Sequence, residues 1–147
     1  MIVHNTIAHM TPLYTTSAVA TGNGRDGHVA SLDGLLEAPV RTPKELGGAG
    51  GATNPEQLFA AGYAACFHSA LKLVAGAAKA DASDSEVVAD VSLGALPNGG
   101  FGLAVSLEVT LPSLERADAE TLVARAHEVC PYSNATRGNI DVTLNVA

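Results

Sequence analysis

The stretch LFAAGYAACFHSALKLVAGAA (residues 58–78) limits the possible folds more than any other part of the chain. It is apolar for long enough to raise the question of a membrane span. It is rich in Ala and Gly, however, holds His68, Ser69 and Lys72, and comes after Asn54-Pro55-Glu56, the opening of a soluble helix. Asn is a good N-cap, Pro suits the first helical position, and a carboxylate favours the positive helix end. The reading is one core helix from 55 to about 79, with Gly62 as a site for a kink. A soluble helix that is apolar on every side has to be enclosed on every side. The chain around it has 147 residues, which suits a single domain spanning 1–147, with residues 1–12 as an N-terminal extension.

The remaining segments describe an α+β fold. Residues 13–21 (LYTTSAVAT) read as a strand, GNGRDG at 22–27 as a tight turn, and 28–32 and 35–40 as short strands. KELGGAGGATN (44–54) is a glycine-rich connector without the Lys-Ser/Thr ending of a phosphate loop. Residues 86–96 and 101–111 form two strands joined through PNGG, the second alternating Phe101, Leu103, Val105, Leu107, Val109 and Leu111. A helix over 115–129 carries Leu122, Val123, Ala126 and Val129 on one face, and Pro131 closes it. The alternation in 140–146 gives a last strand. The order is β-β-β-α-β-β-α-β, with mostly antiparallel sheets.

A net charge of −7 leaves no basic stripe for nucleic acid and disfavours an anionic membrane surface. The N-terminus has neither a basic region nor a continuous apolar core of a secretion signal, so a cytoplasmic location is expected. Two cysteines there read as redox-active, metal-binding or plain core rather than as a static staple.

Position distinguishes the two thiols. Cys130 ends the second helix, where the negative dipole end keeps it protonated. Cys66 lies mid-helix, where apolar burial raises its pKa, so it becomes a nucleophile only if a cation is delivered to it. Lys and Arg total eight, and two arginines sit on loops that can fold inward: Arg25 in the GNGRDG turn and Arg137 after Cys130. Alone, Cys66 reads as an inert core thiol, Arg25 as a solvated turn residue and Glu56 as a first-turn carboxylate.

Three motifs change that balance. TNPEQLFAAGYAACF, HEVCPYSNATRGNIDV and the upstream GRDG closely resemble the organic hydroperoxide resistance proteins of the OsmC/Ohr family, from about residue 13 to the end. The resemblance implies an OsmC-like fold, with sheets wrapped around a long buried helix in an intertwined homodimer. It implies a thiol peroxidase with Cys66 as the peroxidatic cysteine and Cys130 as the resolving one. Arg25 would hold the thiolate and the peroxide oxygen, and Glu56 would orient Arg25. It further implies a lipoylated protein or another dihydrolipoamide-type dithiol as reductant, and no metal, haem or flavin cofactor.

Glu56 and Cys66 lie ten residues apart on one helix, roughly 15 Å of rise. If both line one site, Glu56 comes from the partner subunit's helix, and a homodimer with composite sites is expected. Two rivals remain. Cys66 and His68 with His127 and Cys130 offer a metal set, although residues two apart on a helix point about 200° apart. A dimeric scaffold holding a hydrophobic ligand between its helices needs no thiol turnover at all.

Overall fold

The computed structural model describes residues 10–147, so most of the expected N-terminal extension lies outside the described residues. The chain divides between Asn54 and Pro55 into two compact units.

The first unit is a three-stranded antiparallel sheet of β1 (Ala18–Asn23), β2 (Asp26–Ser31) and β3 (Glu37–Pro39), in that order. Asn23 pairs with Asp26, so the hairpin loop is only Gly24-Arg25. Gly24 has φ +60°, the conformation a primed two-residue turn needs at its first central position. The turn is therefore tighter than the six residues read from sequence, and β1 begins later than residue 13. Beyond β3, Lys44–Leu46 form one 3-10 turn. The glycine-rich connector after it folds back through Gly48 N–H to the Pro43 carbonyl at 3.0 Å and Gly50 N–H to the Thr42 carbonyl at 3.0 Å.

The second unit opens with α1 (Pro55–Ala78). Lys79, at φ 54°, ends it. Next come β4 (Glu86–Ala95), β5 (Phe101–Thr110), α2 (Arg116–Val129), α3 (Pro131–Thr136) and β6 (Val142–Val146). The β4–β5 ladder runs antiparallel from Glu86↔Thr110 to Ala95↔Phe101. β6 pairs with the other edge of β5 in parallel, Val105↔Val142 to Val109↔Val146. Such a pairing needs a crossover, which α2 and α3 supply.

Alternation places Val105, Leu107 and Val109 on the inner face of the central strand, each worth about 1.5–3 kcal/mol when fully buried. Against them pack Tyr63, Phe67, Ala70, Leu71, Val74 and Ala75 of α1, and Ala119, Leu122, Val123 and Ala126 of α2. Phe101 obeys the alternation yet is 77% exposed at the very start of the strand. Val129 is likewise half-exposed at the end of α2. Within one chain α1 is covered on one face only: Ala61, Ala65, Ser69, Leu73 and Gly76 are exposed.

Candidate functional site

Cys66 occupies the middle of α1 and is partly buried, while Cys130 is fully buried. Cys130 is the junction at which α2 stops and α3 begins. Its backbone is extended (φ −66°, ψ 123°), as expected for a residue before proline. Pro131 does more than close α2, because it occupies the first position of a new helix absent from the sequence-based expectation. At this junction the Cys130 thiol reaches Cys66 Sγ at 3.6 Å, across 64 residues of sequence. A disulfide is about 2.05 Å long, so closure needs the sulfurs to approach by roughly 1.5 Å.

The helix pair around the thiols is held by aromatic and hydroxyl groups. One turn before Cys66, the buried Tyr63 hydroxyl meets Ser133 Oγ at 2.9 Å and Thr136 Oγ1 at 3.0 Å. Thr136 also donates to the Ser133 carbonyl at 3.3 Å. Tyr132 stacks at a tilt on Tyr63 (5.6 Å between ring centroids) and on Phe59 (6.1 Å). Gly62 lets this ring come close: a β-carbon there would stand 2.8 Å from Tyr132 Oη. Gly62 thus serves contact, and α1 continues through it as unbroken helix. Tyr63 and Ser133 each lie three residues from a cysteine, a same-face spacing visible in the sequence, but a tyrosine in so apolar a helix reads as plain core.

Burial pushes the Cys66 thiol above its ordinary pKa; the Tyr132 backbone N–H pulls it part-way back, and neighbouring Cys130 pushes it up again. These groups leave Cys66 a thiol at neutral pH.

Arg25 sits at the tip of the β1–β2 hairpin, where adjacent Asp26 accepts from the Thr42 N–H and hydroxyl, both at 3.1 Å. Glu56 lies in the first turn of α1. Arg137 is occupied elsewhere. It donates to Asn134 Oδ1 at 3.0 Å, to His127 Nε2 at 3.4 Å, and to the His127 carbonyl. Burial first, then the Arg137 guanidinium, lowers the pKa of His127, with Glu128 opposing them. His68 Nε2 lies 3.0 Å from Ser85 Oγ. Among the described residues no group of three His, Cys, Asp or Glu side chains could hold a metal.

Beside the aromatic cluster runs an open groove of about 550 Å³, lined mainly by Phe59, Phe101, Leu103, Tyr132, Thr136 and Ile140. It is apolar along most of its length and adjoins Tyr132, the residue just after the Cys130-Pro131 junction.

The chain has counterparts among known proteins and solved structures. The OsmC-like protein family pattern matches residues 48–145. An organic hydroperoxide resistance protein of Xanthomonas axonopodis pv. citri is 56% identical, over 92% of this chain and 95% of its own length. A crystal structure from Legionella pneumophila, described as an organic hydroperoxide resistance protein OsmC, superposes with a TM-score of 0.89 at 57% identity, covering 93% of this chain and 99% of its own. That of OhrB from Bacillus subtilis gives a TM-score of 0.84 at 47% identity, covering 92% and 100%. The chain belongs to the OsmC/Ohr family.

Proposed function

We propose that this protein is a cysteine-based peroxidase that reduces organic hydroperoxides to alcohols in the cytoplasm. The observation that carries this reading is the 3.6 Å approach of a partly buried thiol to a fully buried one. That arrangement exposes one sulfur to a substrate and holds the other in reserve. The names of the relatives, organic hydroperoxide resistance proteins, supply the substrate class. The apolar side chains against which Cys66 packs suit a bulky apolar peroxide better than hydrogen peroxide.

The Cys66 thiolate attacks the O–O bond, the alcohol leaves with a proton, and Cys66 becomes a sulfenic acid. The Cys130 thiol displaces water from it, forming the Cys66–Cys130 disulfide. A dithiol donor, of lipoyl type by family resemblance, returns both sulfurs to thiols and is itself oxidised to a disulfide.

Burial opposes the thiolate, so the reaction calls for a cation. Arg137 is engaged with His127 and Asn134. By family resemblance the role falls to Arg25, whose guanidinium stays charged when desolvated, with Glu56 orienting it. Because Glu56 starts the helix that carries Cys66, roughly 15 Å along its axis, we assign each site Glu56 of the partner subunit and Arg25 of the partner subunit. The uncovered face of α1, with Leu73 at 69% exposure, supports such a dimer. On this reading the whole chain acts as one domain.

The test is a thiol count on reduced protein after one equivalent of an organic hydroperoxide. Two thiols per chain should disappear, and Cys66→Ser should protect Cys130 from rapid loss. Rapid loss of the Cys130 thiol in that variant would overturn the assignment.

A further inference from the structure

We propose that Tyr63 is a positioning residue whose hydroxyl latches α3 onto α1 and so sets the reach of Cys130 for Cys66. The proposal rests on the reading of the two thiols as a redox couple.

Register ties the two contacts together. Tyr63 lies three residues before Cys66, and Ser133 three residues after Cys130, so α3 runs antiparallel along α1. The Tyr63–Ser133 contact at 2.9 Å and the Cys66–Cys130 contact at 3.6 Å are then neighbouring rungs, one helical turn apart. Whatever shifts one rung shifts the other.

Second, α3 has only six residues, too few to define its own position or even its own helicity in isolation. Tertiary contacts must place it. The Tyr132 ring supplies a broad, adaptable surface against Phe59 and Tyr63. The hydroxyl bonds supply direction, since a hydrogen bond weakens steeply with misalignment.

Third, the hydroxyls are buried at a cost. Tyr63 and Ser133 are fully shielded and Thr136 is 5% exposed. A core needing only stability could hold Phe, Ala and Val here, because replacing bonded polar groups by apolar ones of similar shape is nearly neutral. A satisfied polar cluster specifies one arrangement among several of similar apolar packing.

The function of that specification is kinetic. Once Cys66 is a sulfenic acid, Cys130 competes with a second hydroperoxide, which would carry the sulfur on to sulfinic acid. Holding Cys130 at short range makes the intramolecular step fast. An unlatched α3 leaves Cys66 oxidised but unresolved for longer.

The test uses full-length Tyr63→Phe, with Ser133→Ala as a second variant that removes the other end of the bond. Two readouts are taken. One is the dithiol–disulfide equilibrium of Cys66 and Cys130 in a dithiol buffer, which reports their effective concentration without any peroxide. The other is the ratio of Cys66 sulfinic acid to disulfide after hydroperoxide, by mass spectrometry. Loss of the bond, about 1.4 kcal/mol or roughly tenfold, should lower the effective concentration and raise the sulfinic fraction by similar factors. A variant that merely folds less well would lower its melting temperature without moving either ratio. Both variants matching the native protein in the dithiol buffer would overturn the latch and leave the peroxidase reading intact. A shifted equilibrium, with no disulfide formed by the native protein in hydroperoxide, would support the latch and overturn the peroxidase reading.

Discussion

Gly62→Ala sets two computable effects against each other at one contact. In a helix interior, alanine is favoured over glycine by about 1 kcal/mol. The new β-carbon would stand 2.8 Å from Tyr132 Oη, 3.2 Å from Cε2 and 3.3 Å from Cζ. Comfortable carbon contacts begin near 3.5 Å and carbon–oxygen ones slightly closer, so the phenol must swing by roughly 0.3–0.5 Å. Tyr132 is 39% exposed and can yield, but it gives up part of its stacking on Phe59 and Tyr63, worth about 0.5–1.5 kcal/mol per pair. The two effects nearly cancel, leaving stability within about 1 kcal/mol of the native protein, or about 3 °C in melting temperature. Removing the ring should uncover the helix preference. In a Tyr132→Ala background the same substitution should be stabilising, and the double-mutant cycle should show about 1 kcal/mol of coupling. The assay is denaturant unfolding of the four reduced proteins. A loss above about 2 kcal/mol for Gly62→Ala alone, or a cycle with no coupling, would refute a yielding Tyr132 contact as the reason for glycine.

Two other parts of the molecule give measurable outcomes of their own. Burial and Arg137 lower the His127 pKa in the folded state. The unfolded chain thus binds this proton more readily, and the contribution of neutral His127 to stability should be lost as pH falls below about 6.5; unfolding curves from pH 8 to 5 should show a steeper acid-side loss than His127→Gln, and parallel profiles would count against it. On the uncovered face of α1, Leu73→Glu should turn the proposed dimer into a monomer in sedimentation velocity at micromolar concentration, whereas an unchanged sedimentation coefficient would remove that face from the interface.

The parts of the fold legible in the sequence are those with a repeating pattern. The β4–β5 hairpin and the inner residues Val105, Leu107 and Val109 emerge from local periodicity, and the α1 span from its Asn54-Pro55-Glu56 start and its apolar length. The parallel partner of β5 does not, since Val142–Val146 alternates identically whichever strand it joins and in either direction. Helix α3 is not legible because Pro131 both stops α2 and starts the next helix. At the site, composition alone leaves Cys66 an inert core thiol, and it is the family motifs that single out Cys130 as its partner. The Tyr63 hydroxyl stays hidden because its partners, Ser133 and Thr136, are seventy or more residues away. Arg25 and Glu56 stand out through motif likeness and not through any pattern of spacing.

The 64-residue separation of the two sulfurs has a mechanical consequence. A bond between them would tie the chain into a ring that takes in β4, β5 and α2. By loop-closure entropy, a ring of this size disfavours the unfolded chain by about 4 kcal/mol. If the proposed peroxidase cycle runs through that bond, it would alternate a stiffer, more heat-resistant molecule with a looser one, and a melting curve would double as a gauge of how much of the population is spent.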